Sequence, residues 1–423
     1  MNYRKRIADD ILRSLLASSG AVLIQGPKWC GKTTTAEQMA ASSIYMNDPE
    51  DMEENIMLAA TAAKRLLSGD TPRLIDEWQL APRLWDAVRF EVDHREQHVG
   101  QFILTGSAVP PDTSTLHHSG TGRIAWLTMR TMSLWESGDS VGDVSLRDLF
   151  GGREPEGGGN KMELDRLAYL ICRGGWPAAL DMDAEASLQQ AFNYVEAVAE
   201  RDLSRVDGVS RDSEAVKRLL RSYSRHQGTQ VSIKAICNDI KANNESMSEG
   251  TVLSYLHALN KIFVVEDMGA WNPNLRSRTA IRTSNMRYFT DPSIAVAALG
   301  IGPEDLMNDL RTMGLFFETM AVRDLRVYAD ALHGRVYHYR DKNGLECDAV
   351  IHLRNGQYGL VEIKLGGEKL ISEGAATLHS LEKIIDTERM NAPAFKMVLV
   401  GVGRYAYRRD DGVCVVPIGC LKE

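Results

Sequence analysis

Apolar positions along this chain switch between helical and strand periods, and the switches divide it into blocks. Over residues 3–18, Ile7, Ile11, Leu12, Leu15 and Leu16 share one helical stripe, and Gly20 ends it. Residues 21–25 (AVLIQ) form a short apolar run of buried-strand type, and residues 34–41 return to helical character. Two further apolar runs, 73–76 and 101–107, predict strands, so an α/β core is expected over residues 1–150. Residues 151–160, GGREPEGGGN, hold five glycines and a proline, the composition of a flexible, protease-sensitive loop. A helical subdomain follows to residue 205. Helices are then predicted over 214–226, 231–240 and 249–260, the last with Val252, Leu253, Leu256 and Leu259 on its packed side. Strand-like stretches follow at 262–265 and 286–289. The final block reads as a helix over 304–331, strands over 335–339, 345–353 and 358–364, a helix over 369–387 and a strand over 395–400.

The chain has 423 residues, 44% hydrophobic and 25% charged, an ordinary multidomain globular balance. Its 49 Lys and Arg against 57 Asp and Glu give a net charge of −8, which excludes a uniformly basic nucleic-acid coat protein. Residues 201–290, however, carry 14 basic against 9 acidic residues, a local +5 that leaves the remainder at −13. The six cysteines form no CxxC pair and no metal-ligand spacing with histidine, so free thiols in a reducing, cytoplasmic compartment are expected. Asp9 and Asp10 interrupt any leader-type apolar segment, and no run approaches the ~20 apolar residues of a membrane span.

Chemistry enters at Gly26-Pro27-Lys28-Trp29-Cys30-Gly31-Lys32-Thr33, which is GxxxxGK[ST] with a strand before it and a helix after it. Such a loop curls backbone N–H groups around phosphate oxygens, and the helix that follows adds positive field. Gly26, Pro27, Cys30, Gly31, Lys32, Thr33 and Thr34 are therefore the expected nucleotide positions. Lys32 is expected at the β/γ-phosphates of ATP and Thr33 at Mg²⁺. The run RLIDEW supplies Asp76 for the Mg²⁺ shell and Glu77 to activate the attacking water. The next strand ends in Thr105-Gly106-Ser107, with Ser107 preferred over Thr105 as the γ-phosphate sensor. Arg123 and Arg130 both remain candidates for the arginine that stabilises transition-state charge, in cis or from a neighbouring subunit.

The segments GPKWCGKTT, LIDEWQ, FILTGS and SGTGRIAWLTMRTMSLWE occur in this chain in the same order as in a bacterial and archaeal family of AAA+-like ATPases. Gly174-Gly175-Trp176-Pro177, Glu200-Arg201-Asp202-Leu203 and Gly314-Leu315-Phe316-Phe317-Glu318 extend the resemblance over nearly the whole length. Lys28 and Trp29 depart from that family's usual GPRxxGKT. The resemblance implies an ATPase that assembles as a homo-oligomer, with a ring or hexamer among the options. It also implies a C-terminal restriction-endonuclease-like, PD-(D/E)xK domain of poorly defined function. The expected organisation is a P-loop AAA+-type core (1–150), a loop and helical lid (151–205), a winged helix-turn-helix (206–302) and a restriction-endonuclease-like α/β domain (303–423).

In the middle block, Arg276, Arg278 and Arg282 would contact DNA phosphates from the wing. The helix over 249–260 offers only Thr251, Ser254, Tyr255 and His257 to bases, with Lys261 beyond. Protein docking is the competing use of such a module. In the last block, Asp348, Glu362 and Lys364 make the Asp…Glu-x-Lys pattern of a metal-dependent phosphodiesterase. Glu362 and Lys364 share a strand face because side chains alternate. A three-residue turn, 354–356, with Gly356 in the left-handed position would set Asp348 opposite Glu362. Glu318 would be a third acid. The expected function is an ATP-hydrolysing protein that binds and remodels DNA, with cleavage undecided. The alternative is a nucleotide-gated docking switch whose nuclease-like domain is inactive.

Overall fold

A computed structural model describes residues 3–106, 120–206, 208–242, 246–273, 284–388 and 390–423. By contact the chain divides into two units: residues 1–131, 197–212 and 255–264 in one, residues 132–196, 213–254 and 265–423 in the other.

The first unit is built on five parallel strands: β1 (Ala21–Gln25), β2 (Ser42–Tyr45), β3 (Arg73–Asp76), β4 (Phe102–Gly106) and β5 (Ile124–Thr128). Their spatial order is β2-β3-β4-β1-β5. Strand alternation sends Ala21 and Leu23 into one apolar layer with Trp85 and Val88 of the helix Arg83–His94. Val22 and Ile24 enter the opposite layer with Leu12 and Leu16 of the helix Ile7–Leu16. Both faces of the central strands are thus covered, which is why β1 and β4 read as near-continuous apolar runs, whereas β2 at the edge does not. The expected helix at 34–41 runs from Lys32 to Glu37, starting directly at the phosphate-loop lysine.

The second unit contains the mixed sheet β11-β12-β10-β9-β8-β7. In chain order these are β7 (Gly334–Arg340), β8 (Glu346–Leu353), β9 (Tyr358–Lys364), β10 (Phe395–Val400), β11 (Tyr407–Arg408) and β12 (Cys414–Pro417). β7, β8 and β9 form an antiparallel meander; β10 joins β9 in parallel after the crossover helix Glu368–Ile384. The expected helix–three-strand–helix–strand order is therefore present, extended by two strands.

Several expectations are corrected. The helix expected over 304–331 is two helices, Pro303–Asn308 and Leu310–Ala331, because Asp309 caps the second by accepting from the backbone N–H groups of Arg311 and Thr312 at 3.1 and 3.2 Å. Residues 262–265 are not a strand; Val265 makes a single bridge to Phe289. Leu253, expected in the packed stripe, is exposed, whereas Val252, Leu256 and Leu259 are buried. The expected boundary near residue 150 does not coincide with the contact pattern. The two-residue strand at Val144–Ser145 pairs with Leu421–Lys422, and the backbone N–H of Leu134 donates to buried Asp324 at 3.0 Å. The glycine-rich 151–160 segment is likewise tied down. Glu154 pairs with Arg408 at 2.5 Å, Gly157 bridges Ala406, and the Asn160 side chain donates to the Gly403 carbonyl at 2.8 Å. Sequence composition missed this because the partners lie some 250 positions away.

All six cysteines are free thiols. Among the described residues no helix is long and apolar enough to cross a membrane.

Candidate functional site

The loop after β1 turns sharply enough to bring its own backbone against β5. A Cβ on Gly26 would stand 2.0 Å from the Met129 carbonyl oxygen, so only glycine fits. Arg6 is buried and clamps the arrangement, donating to the carbonyls of Cys30 at 2.8 Å and Arg130 at 2.9 Å. The sequence offered no signal for this role, since Arg6 looked like one of several basic residues near the N-terminus. Lys32 is buried with its ammonium donating to the Gly26 and Pro27 carbonyls at 3.0 and 2.7 Å. Cys30 is buried and Thr34 exposed on the helix that follows. Lys28 reaches out of the loop to Asp202, 2.6 Å away, in the segment 198–202.

Strand order explains how the acids arrive. β4 lies between β1 and β3, and the registers set Thr105 beside Ile24 and Leu104 beside Ile75. Thr105 therefore donates its hydroxyl proton to Asp76 Oδ1, the same oxygen that accepts from Thr33 Oγ1 at 2.7 Å. A hydroxyl and a buried carboxylate this close suit one hard divalent cation, so the donor set fits Mg²⁺. Thr105, the less favoured sensor in the sequence reading, is a hydrogen-bond donor to Asp76; Ser107 lies outside the described residues.

Glu77 follows in the left-handed region at φ 53°. Burial and the neighbouring Asp76 raise its pKa above the ordinary glutamate value, with Lys32 opposing. A raised carboxylate pKa suits a proton acceptor.

The two candidate arginines are separated by the sheet. The Arg123 carbonyl accepts from Ala21 at the start of β1, and its guanidinium pairs with Asp93 at 2.9 Å. Four strand steps, roughly 13 Å, separate that edge from the phosphate loop. Arg123 therefore cannot reach phosphates held by its own loop, which corrects the cis assignment. Arg130 follows the opposite end of β5, where the loop packs.

In the second unit, the β8–β9 ladder pairs Ala349 with Val361 through to His352 with Tyr358, the register that one step further on sets Asp348 against Glu362. The turn is the expected one: Leu353 N–H donates to Gln357 at 2.9 Å, and Gly356 has φ 88°. Asp348 accepts from the backbone N–H of Ile363 at 2.7 Å. Lys364 bridges the acids, 2.9 Å from Asp348 and 2.7 Å from Glu362. Glu318 is held by the Tyr288 hydroxyl, which donates at 2.6 Å. Burial first, and Asp348 second, push Glu318 and Glu362 well above the ordinary glutamate value. Among the described residues no three His, Cys, Asp or Glu side chains converge on a metal position. The expected three-acid cage of Asp348, Glu362 and Glu318 is thus not preformed, because the Lys364 ammonium occupies the space between the first two.

In the helix Glu249–Lys261, Tyr255 is covered by the Arg211 guanidinium, 5.6 Å from the ring centroid. Leu253, Ser254 and His257 are exposed. Arg276, Arg278 and Arg282 lie outside the described residues.

Comparison with known proteins matches residues 18–137 to the model of an AAA domain. Residues 164–305 and 313–421 match two domains of unknown function, DUF8612 and DUF4143. Uncharacterised proteins of Mycobacterium tuberculosis and Mycobacterium bovis are each 23% identical over 99% of this chain and 84% of their own length. A Walker-type ATPase of Pyrococcus abyssi is similar at 12% identity and a TM-score of 0.41, over 69% of this chain and 94% of its own, too slight a likeness to bear on function. Residues 18–137 are therefore a nucleotide-binding P-loop ATPase domain of the AAA type.

Proposed function

We propose that this protein hydrolyses ATP with Mg²⁺ and uses the cycle to bind and remodel DNA, the C-terminal acid–lysine group being the site that meets a phosphodiester. The observation that carries the hydrolytic half is the shared oxygen of Asp76, which Thr33 and Thr105 orient from two elements. Lys32 neutralises the β/γ-phosphates and Glu77 takes a proton from the attacking water. Thr33 and Asp76 would hold Mg²⁺, which would supply positive charge to offset that of the phosphates. Arg130 is favoured over Arg123 as the charge-stabilising arginine, in a homo-oligomer.

Support for the DNA half comes from Lys364 joining Glu362 of its own strand to Asp348 of the neighbouring one, and from the local +5 of residues 201–290. In this reading 206–302 is a winged-helix module and 303–423 a restriction-endonuclease-like domain. A second reading, a nucleotide-gated protein-docking switch, is favoured by exposed Leu253 on a helix face without arginine and by the lysine-filled acid pair.

The test measures ATP turnover of the full chain with and without duplex, forked and four-way-junction DNA, and follows each DNA with Mg²⁺ and Mn²⁺. Stimulation by DNA, lost in Lys32→Ala, supports the first reading. Cutting that is lost in Asp348→Ala adds a nuclease to it. Turnover indifferent to every DNA, with none bound, leaves the docking switch.

A further inference from the structure

The side chain of Gln79, two residues beyond Glu77, has no part in the chemistry above. Its Nε2 donates to Glu77 Oε2. Its Oε1 is buried and accepts no hydrogen bond among the described residues. A buried carbonyl oxygen normally finds a donor, so an orphan at this place asks for a reason. The carboxylate supplies one, because only the N–H side of the amide can face it; the carbonyl must then point away. It points at Gly106, at the end of β4, where a Cβ would stand 2.7 Å from it. Gly106 therefore leaves room for the amide to lie in this orientation. The left-handed turn at Glu77 folds the chain so that a side chain two positions on can reach back. The amide spans from the acid at the end of β3 to the strand that carries Thr105.

We propose that Gln79 is a positioning residue for ATP hydrolysis: its amide holds the Glu77 carboxylate towards the attacking water, and Gly106 keeps the amide in place. The proposal rests on the ATPase reading. A misplaced base loses rate without losing nucleotide affinity, since it acts on the water and not on the phosphates.

The experiment compares the full chain with Gln79→Ala, Gly106→Ala, Glu77→Gln and the double variant Gln79→Ala/Glu77→Gln. ATP turnover, binding of a fluorescent ATP analogue and melting temperature are measured for each. Gln79→Ala is expected to lower kcat about tenfold or more with analogue affinity within about twofold. Gly106→Ala is expected to lower kcat in the same way, by crowding Oε1. In the Glu77→Gln background, Gln79→Ala is expected to cost nothing further, because both act through one carboxylate. Gln79→Ala turnover within about twofold of the parent overturns the proposal, and so does an independent, multiplying loss in the double variant. Should Gln79→Ala not fold, Gly106→Ala decides on the same criteria. A parent chain without turnover defeats the ATPase reading instead, so the two failures are distinguishable.

Discussion

Each unit of this protein sets two carboxylates close together, and they are handled in opposite ways. Asp76 is oriented by hydroxyls, and the nearby cation, Lys32, is tied to loop carbonyls, so its charge is left for a ligand. Asp348 and Glu362 have Lys364 between them, so their charge is balanced within the protein. Hydroxyl donors organise an acid without neutralising it; an ammonium does both. In the proposed function the first arrangement serves phosphate and Mg²⁺, whereas the second must give up an ion pair before it can take a cation.

That contrast breaks if the first pair proves dispensable. Glu77→Gln should lower ATP turnover at least about a hundredfold, the scale of a lost general base, while analogue binding persists; steady-state kinetics beside an affinity measurement decide it. The parent enzyme adds a pH criterion. Because Glu77 must be ionised to accept a proton and its pKa is raised, kcat should fall on acidification at a higher pH than an ordinary glutamate would give. A limb at or below the usual carboxylate range contradicts the assignment.

Lys364→Met sharpens the other side. Two acids left without their cation should cost about 2–3 kcal/mol, below the 3–5 of a fully buried pair because Lys364 is partly exposed. The sign with pH follows from Glu362, whose raised pKa means that protonation favours the folded state. The loss should grow once pH rises through and beyond the parent's Glu362 value of about 8, where the parent has ionised and the variant still holds its proton, and Mg²⁺ should recover part of it; denaturant melts on both sides of that value test this. The smallest effect belongs to Arg123→Ala. Its partner is Asp93 at the edge of the sheet away from the phosphate loop, so turnover should stay within about twofold. A large loss would mean that a neighbouring subunit receives this arginine.

Much of both sites was legible beforehand because their chemistry is local. The phosphate loop needs glycines, a lysine and a threonine at fixed spacing between a strand and a helix, and Asp76-Glu77 needs only a strand end. The register of Asp348 with Glu362 was also readable, since strand alternation and one three-residue turn decide it. What escaped depends on distant partners. Arg6 clamps Cys30 and Arg130, Tyr288 holds Glu318, and the 151–160 segment is pinned by residues beyond 400. The break at Asp309 could have been read, as an aspartate placed to cap the next turn.

The sequence by itself determined which residues can bind phosphate, hold Mg²⁺ or accept a proton, because those abilities belong to side-chain chemistry and short spacing. Only tertiary structure decided which of them meet. The strand order puts β4 between the two motif strands, so Thr105 reaches Asp76 and Arg123 falls at the wrong edge. Packing also put Lys364 between its acids and turned the Gln79 amide towards Glu77. Strand order and side-chain pairing are set by burial and hydrogen bonding over the whole unit, which no local run of residues encodes.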